Sequence, residues 1–254
     1  MQIKERSNWM LISFIVTSYN YASYIVETIE SIKNQTVNDF EIIVVDDFSS
    51  DNSVDILGKF SDVTLIKHSF NQGQLAAILS GLRIAKGEFI SIIDSDDVLY
   101  PNYAKIMSEY LQNQDISFVN CNCEKTEIIS TKTHSFGGWW WSPMSCSMFK
   151  KEYLECLLSY SDTQKWRICP DKFLFNVAYL QKQSLNISDK LVNKREHEAN
   201  AGKTKNRFFI NVRNNFQIRK ESLKIVNDKS LRRIIIKSYC YLIKQVFNKM
   251  LKIF

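Results

Sequence analysis

The sequence predicts an α/β fold in which helices cover both faces of a mostly parallel sheet. Three short, nearly continuous apolar runs rich in β-branched residues support this prediction: Ser13–Val16, Glu41–Val45 and Phe89–Ile93. Such runs fit strands that are covered on both faces, as in a parallel sheet. Helical patterns separate the runs, and alternating strands and helices form right-handed βαβ units.

The other elements of this half follow in chain order from the same patterns. Tyr24–Asn34 has isoleucines at helical spacing, and Val63–Ile66 is a shorter strand. Gln74–Ala85 has leucines and isoleucines at helical spacing, and Ile116–Cys121 is a further strand. Ligands of open sheets bind outside the carboxyl ends of the strands, which is therefore the expected position of a site.

Polar clusters follow three of the predicted strands at their carboxyl ends. They are Thr17–Asn20, Asp46–Asp47 and Asp94–Asp97. One acidic pair after a strand is usually a helix cap or a turn. Three clusters at equivalent ends of neighbouring strands converge on one cleft, which favours a binding site.

The third cluster places three carboxylates, those of Asp94, Asp96 and Asp97, within four residues. Unpaired carboxylates at this density repel one another, and a divalent cation removes that penalty. Carboxylate oxygens suit Mg²⁺ or Mn²⁺, and Mg²⁺ is typically held together with substrate phosphates. The alternative is a solvated acidic turn ahead of Pro101. The P-loop and Gly-x-Gly-x-x-Gly patterns are absent, so a metal and basic residues would have to hold any nucleotide phosphates.

Motifs along residues 11–103 resemble the signature of family-2 glycosyltransferases, which have the GT-A fold, a Rossmann-like nucleotide-binding sandwich. The motifs are Val16-Thr-Ser-Tyr-Asn-Tyr21, Glu41-Ile-Ile-Val-Val-Asp-Asp-Phe-Ser-Ser-Asp51, Asn71-Gln-Gly73, Ala85-Lys-Gly-Glu-Phe-Ile90 and Ile93-Asp-Ser-Asp-Asp97. The resemblance implies an inverting, metal-dependent glycosyltransferase that uses a nucleotide sugar, with a UDP-sugar expected, and Mn²⁺ or Mg²⁺. Residues 1–205 would form this domain, with 11–103 binding the donor and 104–205 the acceptor, and 206–254 would form a basic helical extension.

The same resemblance implies roles for individual residues of the donor half. Thr17 and Tyr19 would line the nucleotide pocket, and Asp47 would accept a hydrogen bond from the base. Asp94 would contact the ribose or the metal, and Asp96 would ligate the metal. Asp97 would be a further carboxylate in contact with the substrate.

Inversion at the anomeric carbon needs a base opposite the leaving group. Cys169-Pro170-Asp171 resembles the family segment that supplies this base, although Pro170 stands where the family has a first acid. Asp171 is therefore the expected catalytic base. The alternative is a first-turn helix acid beside a proline, favoured by the helix dipole.

Two further segments are expected to contact substrate. Lys194–Asn200 resembles a loop that closes over the donor phosphates, so His197 is expected to contact the metal or phosphate with help from Arg195 or Lys194. The alternative for His197 is a surface histidine or one whose hydrogen bonds are satisfied within the protein. Trp139, Trp140 and Trp141 follow two glycines, and their aromatic faces could stack on a sugar ring. Packing residues that anchor a loop are the alternative for the tryptophans. His68 and His134 have no motif context and receive no role.

The charge of the chain is divided unevenly. Residues 1–189 hold 16 basic and 23 acidic residues, whereas residues 190–254 hold 17 basic and 4 acidic residues, which together give the net charge of +6. This distribution excludes a protein that is basic throughout, such as a nucleic-acid coat, and no nucleic-acid partner is expected.

Ser230–Phe254 combines six basic residues and no acid with apolar residues at helical spacing. It predicts a basic amphipathic helix on a membrane surface, with a packed terminal helix or an RNA-binding stripe as alternatives.

The first 20 residues contain a short apolar run without a cleavage site, and no stretch approaches ~20 apolar residues, so a cytoplasmic protein on the inner face of the membrane is expected. The six cysteines are expected to be small buried thiols.

The expected acceptor is a polyprenyl-diphosphate-linked surface glycan. The alternatives are a transferase acting on a polyprenyl phosphate and, given Pro170, an inactive nucleotide-sugar-binding subunit.

Overall fold

The structure is a computed structural model that describes residues 11–113, 115–124, 143–159, 174–175 and 183–195, with scattered positions between 216 and 243. The strands are β1 (Ile12–Ser18), β2 (Phe40–Asp46), β3 (Val63–Lys67), β4 (Phe89–Asp94), β5 (Asp97–Leu99), β6 (Phe118–Cys123), β7 (Ser147–Lys150) and β8 (Ser184–Lys194). The α-helices are α1 (Ile25–Lys33), α2 (Ser53–Leu57), α3 (Gln74–Ile84), α4 (Tyr103–Asn113) and α5 (Lys151–Ser159), and Met144–Cys146 forms a 3₁₀ turn.

Within the described ranges, the strands form one eight-stranded sheet in the order β3-β2-β1-β4-β7-β6-β8-β5. β1 pairs in parallel with β2 and β4, and β2 pairs in parallel with β3, as the βαβ pattern predicts. β7 is antiparallel to both β4 and β6, β8 is parallel to β6, and β5 is antiparallel to β8. The sheet is therefore mostly parallel, with antiparallel pairs confined to the half that follows β4.

The first strand extends beyond its predicted end. Its apolar run stops at Val16, yet Thr17 and Ser18 continue the ladder because they pair with Val45 and Asp46 of β2. Polar residues that were expected to follow the strand thus form its last two positions.

Alternate residues of the central strands pack into two separate cores, one on each face of the sheet. On one face, Phe14 and Val16 contact buried residues of α1 and α4. On the other face, Ile15 lies among buried residues of α3 and α5. Fully burying one such side chain contributes about 1.5–3 kcal/mol, so covering both faces explains the unbroken apolar runs.

The short link between β4 and β5 requires the sheet to curl. Only Ser95 and Asp96 separate the two strands, yet β7, β6 and β8 lie between them in the sheet order. Four strand spacings in a flat sheet would amount to ~19 Å. The three residue steps from Asp94 to Asp97 span at most ~11 Å. The sheet therefore bends until the edge strand β5 reaches the carboxyl end of β4.

The cysteines match their prediction only in part. Cys121, Cys123 and Cys146 are free, buried thiols, whereas Cys156 and Cys240 are free and exposed. Cys169 lies outside the described residues. Among the described residues, no helix combines the length and the apolar character that crossing a membrane requires.

Candidate functional site

The three polar clusters lie at the same edge of the sheet. Thr17 of β1 pairs with Asp94 of β4, and Ser18 pairs with Asp46 of β2. The backbone N–H of Asp47 donates to the carbonyl oxygen of Ser18 at 2.8 Å. Register and loop contacts therefore bring the clusters after β1, β2 and β4 together, as the parallel arrangement predicts.

Asp47 is held by hydrogen bonds on both of its carboxylate oxygens. Oδ1 accepts from the backbone N–H of Gln72 at 2.8 Å, and Oδ2 accepts from that of Gly73 at 2.7 Å. Gly73 has a φ of 93°, which lies in the left-handed region that favours glycine. The Asn71-Gln-Gly73 motif thus fixes the orientation of Asp47.

His68 completes the surroundings of Asp47 and was missed by sequence reasoning. Its Nδ1 lies 2.8 Å from Asp47 Oδ1, and its Nε2 lies 2.9 Å from Ser80 Oγ of α3. With Asp47 ionised, Nδ1–H donates to the carboxylate, and in the neutral ring Nε2 accepts from the Ser80 hydroxyl. These partners are 21 and 12 residues away in the chain, so no local motif could have identified them.

The acidic cluster is compact enough for a cation. One carboxylate oxygen from each of Asp94, Asp96 and Asp97 lies within 4.8 Å of the others. Gln74 Nε2 donates to Asp94 Oδ1 at 2.7 Å. The Ser145 hydroxyl accepts from the Asp94 N–H at 2.9 Å and donates to Asp97 Oδ2 at 2.7 Å. Ser145 therefore joins the acidic segment to the 3₁₀ turn, a contact that no sequence motif indicated.

Asp97 supports the expectation that a cation binds here. Burial and, secondarily, the charge of Asp96 raise the pKa of Asp97 to about 7. Its Oδ1 is buried, and no described residue donates a hydrogen bond to it. A buried carboxylate with an unsatisfied oxygen is stabilised by a proton or by a metal ion. The donor set, all carboxylate oxygen, fits Mg²⁺ or Mn²⁺.

Tyr21 lies close to the acidic cluster. Burial raises the pKa of its phenol well above the usual range, and the charges of Asp96, Asp94 and Asp97 raise it further. The phenol therefore stays protonated at neutral pH and keeps its hydrogen-bond donor beside the carboxylates.

Arg195 lies at the end of β8, against the acidic segment. Its guanidinium donates to the carbonyl oxygen of Asp96 and to the Glu27 carboxylate. It also donates to the carbonyl oxygen of Tyr24 and to the hydroxyl oxygen of Thr28. The structure thus places Arg195 among protein acceptors from α1 and from the β4–β5 link.

The expected nucleotide-pocket residues differ in exposure. Thr17 is buried at the end of β1, whereas Tyr19 is exposed in the following loop. Phe48, which follows Asp47, is 54% exposed and has a φ of 72°. This left-handed conformation is costly for a residue with a bulky side chain.

Several expected site residues lie outside the described residues: Asp171, His197, Trp139, Trp140 and Trp141. Two residues of the segment that follows Asp171 are described. Leu174 and Phe175 are helical and buried, and the Phe175 ring stacks on Phe118 at 5.1 Å between centroids.

The family model described as Glycosyl transferase family 2 matches residues 13–166. An uncharacterized glycosyltransferase of Nostoc sp. is 31% identical over 215 residues, which cover 75% of this chain and 66% of the relative. UDP-Glc:alpha-D-GlcNAc-diphosphoundecaprenol beta-1,3-glucosyltransferase WfaP of Escherichia coli is 33% identical over 124 residues, covering 47% of this chain and 49% of WfaP. The chain spans at most about two thirds of the length of these curated relatives.

Two solved structures resemble this fold. S. aureus TarS 1-349 in complex with UDP-GlcNAc has a TM-score of 0.71 at 19% identity, covering 91% of this chain and 72% of that one. Mannosyltransferase PcManGT from Pyrobaculum calidifontis, in complex with GDP-Man and Mn²⁺, has a TM-score of 0.67 at 18% identity, covering 93% and 70%. The α/β fold predicted from the sequence is therefore confirmed.

Proposed function

The chain belongs to glycosyl transferase family 2, and from this premise we propose that it transfers a sugar from a UDP-sugar to a hydroxyl group of a growing, lipid-linked surface glycan. The observation that supports this proposal most directly is the shared sheet edge on which the oriented Asp47 carboxylate and the compact Asp94–Asp97 cluster both lie. A base-recognition group and a metal-binding group are the two parts that a nucleotide-sugar site requires.

Asp47 is suited to recognising a nucleobase N–H. Its Oδ1 accepts from the Gln72 N–H and lies beside His68. Its Oδ2 accepts one hydrogen bond from the described residues, that of the Gly73 N–H at 2.7 Å. Oδ2 can accept one further hydrogen bond, such as that from the N3–H of uracil. Thr17 and Tyr19 would line the same pocket. The UDP-Glc in the name of WfaP and the UDP-GlcNAc bound to TarS support a uridine donor.

Asp94 and Asp96 would hold the metal beside Asp97, with His197 as a further ligand or phosphate contact. A bound Mn²⁺ or Mg²⁺ would stabilise negative charge on the departing nucleoside diphosphate. Gln74 and Ser145 fix the orientation of Asp94 and Asp97 through the hydrogen bonds described above.

The transfer step would invert the anomeric carbon. The acceptor oxygen forms a bond to that carbon while the bond from the carbon to the diphosphate oxygen breaks. Asp171 takes the proton of the acceptor hydroxyl, and the nucleoside diphosphate leaves with the electron pair. Trp139, Trp140 or Trp141 would supply an aromatic surface for a sugar ring.

The basic tail would bring the enzyme to its lipid-linked acceptor. The described positions 236, 240 and 243 are helical, and Ile236, Cys240 and Ile243 are exposed at a spacing that places them on one helix face. Exposed apolar residues within a segment that has six basic residues and no acid suit an anionic membrane surface. The diphosphoundecaprenol-linked sugar in the name of WfaP supports an acceptor at such a surface.

Calorimetric titration of the full chain with a panel of nucleotide sugars, with Mn²⁺ and with EDTA, tests this function. We expect a UDP-sugar to bind in the presence of Mn²⁺ and to bind more weakly in EDTA. Transfer would then be measured with an undecaprenyl-diphosphate-linked sugar and with bare undecaprenyl phosphate as acceptors. Failure of every nucleotide sugar to bind would contradict the proposal. Transfer to bare undecaprenyl phosphate but not to the diphosphate-linked sugar would show that the acceptor is the lipid phosphate and not a lipid-linked glycan.

Deleting residues 230–254 tests the membrane contact separately. The deletion should abolish sedimentation with vesicles that contain phosphatidylglycerol, while neutral phosphatidylcholine vesicles should retain little of either protein. Equal sedimentation of the full chain and the deletion variant would contradict the proposed role of the tail.

A further inference from the structure

The Arg195 side chain connects three separate parts of the chain. Nη2 donates to the carbonyl oxygen of Tyr24 at 3.1 Å and to Thr28 Oγ1 at 3.0 Å, Nη1 pairs with the Glu27 carboxylate, and Nε donates to the carbonyl oxygen of Asp96. The guanidinium carbon also lies 5.1 Å from the centroid of the Tyr24 ring. The side chain is only 17% exposed. The end of β8, helix α1 and the acidic segment are thus joined through one rigid, planar group.

Thr28 makes the complementary contacts from the opposite direction. Its hydroxyl oxygen lies 2.9 Å from the carbonyl oxygen of Ser95 and 2.8 Å from that of Asp97, and the side chain is fully buried. The hydroxyl has one proton, which these two carbonyls share with the more distant carbonyl oxygen of Tyr24 at 3.4 Å. By accepting from Arg195, the hydroxyl becomes a stronger donor to them.

Together these two side chains contact three successive carbonyl oxygens, those of residues 95, 96 and 97. The three residues include Asp96 and Asp97, and they directly follow Asp94. Holding the backbone on its carbonyl side fixes the positions from which the three carboxylates approach one another within 4.8 Å. Metal-binding oxygens need to be placed to within about 0.5 Å, and the groups that orient them contribute strongly to affinity.

We propose that Arg195 is a positioning residue that, together with Thr28, holds the Asp94–Asp97 segment in its metal-binding geometry, and that it is not a ligand of the donor phosphates. This inference rests on the proposed function because it assumes that the acidic cluster binds a metal. A phosphate ligand would direct its donors into the cleft, whereas four donor contacts of Arg195 are made to protein oxygens of α1 and of the β4–β5 link.

The test measures two affinities that the alternatives change differently. Mn²⁺ binding without nucleotide is followed by the loss of the free-ion signal in electron paramagnetic resonance, and UDP binding in EDTA is followed by calorimetry. Arg195→Ala should weaken Mn²⁺ binding about 10- to 100-fold, the range seen when an orienting partner of a metal ligand is removed. UDP binding in EDTA should change less than about twofold.

Three further variants examine the same contacts. Thr28→Val, which keeps the side-chain shape, should also weaken Mn²⁺ binding, so the test remains usable if Arg195→Ala does not fold. Arg195→Lys should restore only part of the affinity, because an ammonium group cannot reproduce the planar fork of donors. Glu27→Gln should have the smallest effect, since an amide oxygen still accepts from the guanidinium. Millimolar guanidinium should partly rescue Mn²⁺ binding by Arg195→Ala.

Arg83→Ala is the matched control for removing one positive charge, because Arg83 is exposed in the last turn of α3. It should leave both affinities unchanged. Loss of UDP affinity in EDTA with normal Mn²⁺ binding in Arg195→Ala would make Arg195 a phosphate ligand and overturn the inference. Normal Mn²⁺ binding in both Arg195→Ala and Thr28→Val would overturn it as well, while leaving the proposed function intact. A wild-type chain that binds no Mn²⁺ without nucleotide would overturn the inference, whereas the proposed function is decided separately by the nucleotide-sugar titration in Mn²⁺ and in EDTA.

Discussion

His68 Nδ1 lies 2.8 Å from the Asp47 carboxylate, and both side chains are only 6% exposed. A buried hydrogen bond of this kind fixes the acceptor in one orientation, and leaving a buried charged group without its partner costs about 1–3 kcal/mol or more. The pair connects the end of β2 to Ser80 on α3, so the orientation of the Asp47 carboxylate depends on the packing of that helix.

Removing this partner should weaken nucleotide binding. His68→Ala is expected to lower the affinity for UDP about tenfold, which corresponds to ~1.4 kcal/mol, while pyrophosphate binding in Mn²⁺ stays unchanged. His68→Asn, whose amide N–H can replace the Nδ1 donor, should retain most of the affinity. Both affinities are measured by calorimetry. If UDP and pyrophosphate binding weaken equally, His68 has a general structural role and does not act on the base alone.

Asp171→Asn should separate binding from transfer. The amide cannot take the acceptor proton, so we expect transfer to fall by two orders of magnitude or more, in line with the 10²–10⁴-fold contribution typical of a general base. Donor affinity should remain at the wild-type value by calorimetry. Near wild-type turnover would identify Asp171 as a first-turn helix acid.

Gly81 should tolerate no side chain. A Cβ at this position would lie 2.5 Å from Cγ2 of Ile15, a fully buried residue at the centre of the sheet. Overpacking of this kind typically costs about 1–3 kcal/mol, so Gly81→Ala should lower the free energy of unfolding by that amount in urea. Gly58→Ala is the matched control, because its Cβ would meet its nearest neighbour at 3.5 Å and its φ is −62°. It should leave stability equal or raise it by about 0.4–1 kcal/mol.

At position 48, a glycine variant should be more stable than an alanine variant, which is the reverse of the usual order of stability. Both Phe48→Ala and Phe48→Gly remove the ring, but only glycine adopts a φ of 72° without a steric penalty. Left-handed backbone costs other residues about 1–2 kcal/mol, so the glycine variant should be the more stable of the two by about 1 kcal/mol in urea. An alanine variant as stable as the glycine variant would show that the backbone at this turn relaxes.

The stability of the metal-free protein should depend on Asp97. Because its folded-state pKa is raised to about 7 from an ordinary value of 3.8, the folded state holds this proton more tightly than the unfolded state. Its contribution to stability therefore falls as pH rises from about 4 to 7 and stays low above pH 7. Asp97→Asn should gain stability relative to wild type between pH 5 and pH 8, by up to a few kcal/mol in urea titrations with EDTA. A difference between the two proteins that is constant with pH would contradict this expectation.

Most of residues 11–103 could be predicted because the signals of β1 to β4, α1 and α3 are local, whereas α2 and β5 were not predicted. The runs of β1, β2 and β4 are continuous, and the polar clusters follow them directly, so their convergence at one edge follows from parallel pairing. β7 and β8 were not predicted, since β7 has four residues and β8, with the sequence SLNISDKLVNK, lacks a sustained apolar pattern. Their places in the sheet depend on tertiary pairing with β4 and β6.

The supporting side chains of the site could not be predicted for a related reason. Ser145 reaches Asp97 across 48 residues of chain, and Arg195 reaches Asp96 across 99. A serine or an arginine at such a distance is not distinguished by spacing or composition. Only the fold shows that these groups contact the acidic segment.

The two-residue link between β4 and β5 has a consequence for how this protein can vary in length. Insertions in most surface loops are tolerated, because added residues bulge into solvent. One residue added between Asp94 and Asp97 would instead shift the register of the edge strand, turn its side chains to the other face and separate the carboxylates. The closure of the sheet and the spacing of the acidic groups share the same stretch of backbone, so in homologues the chain length here should be invariant even where the residues differ.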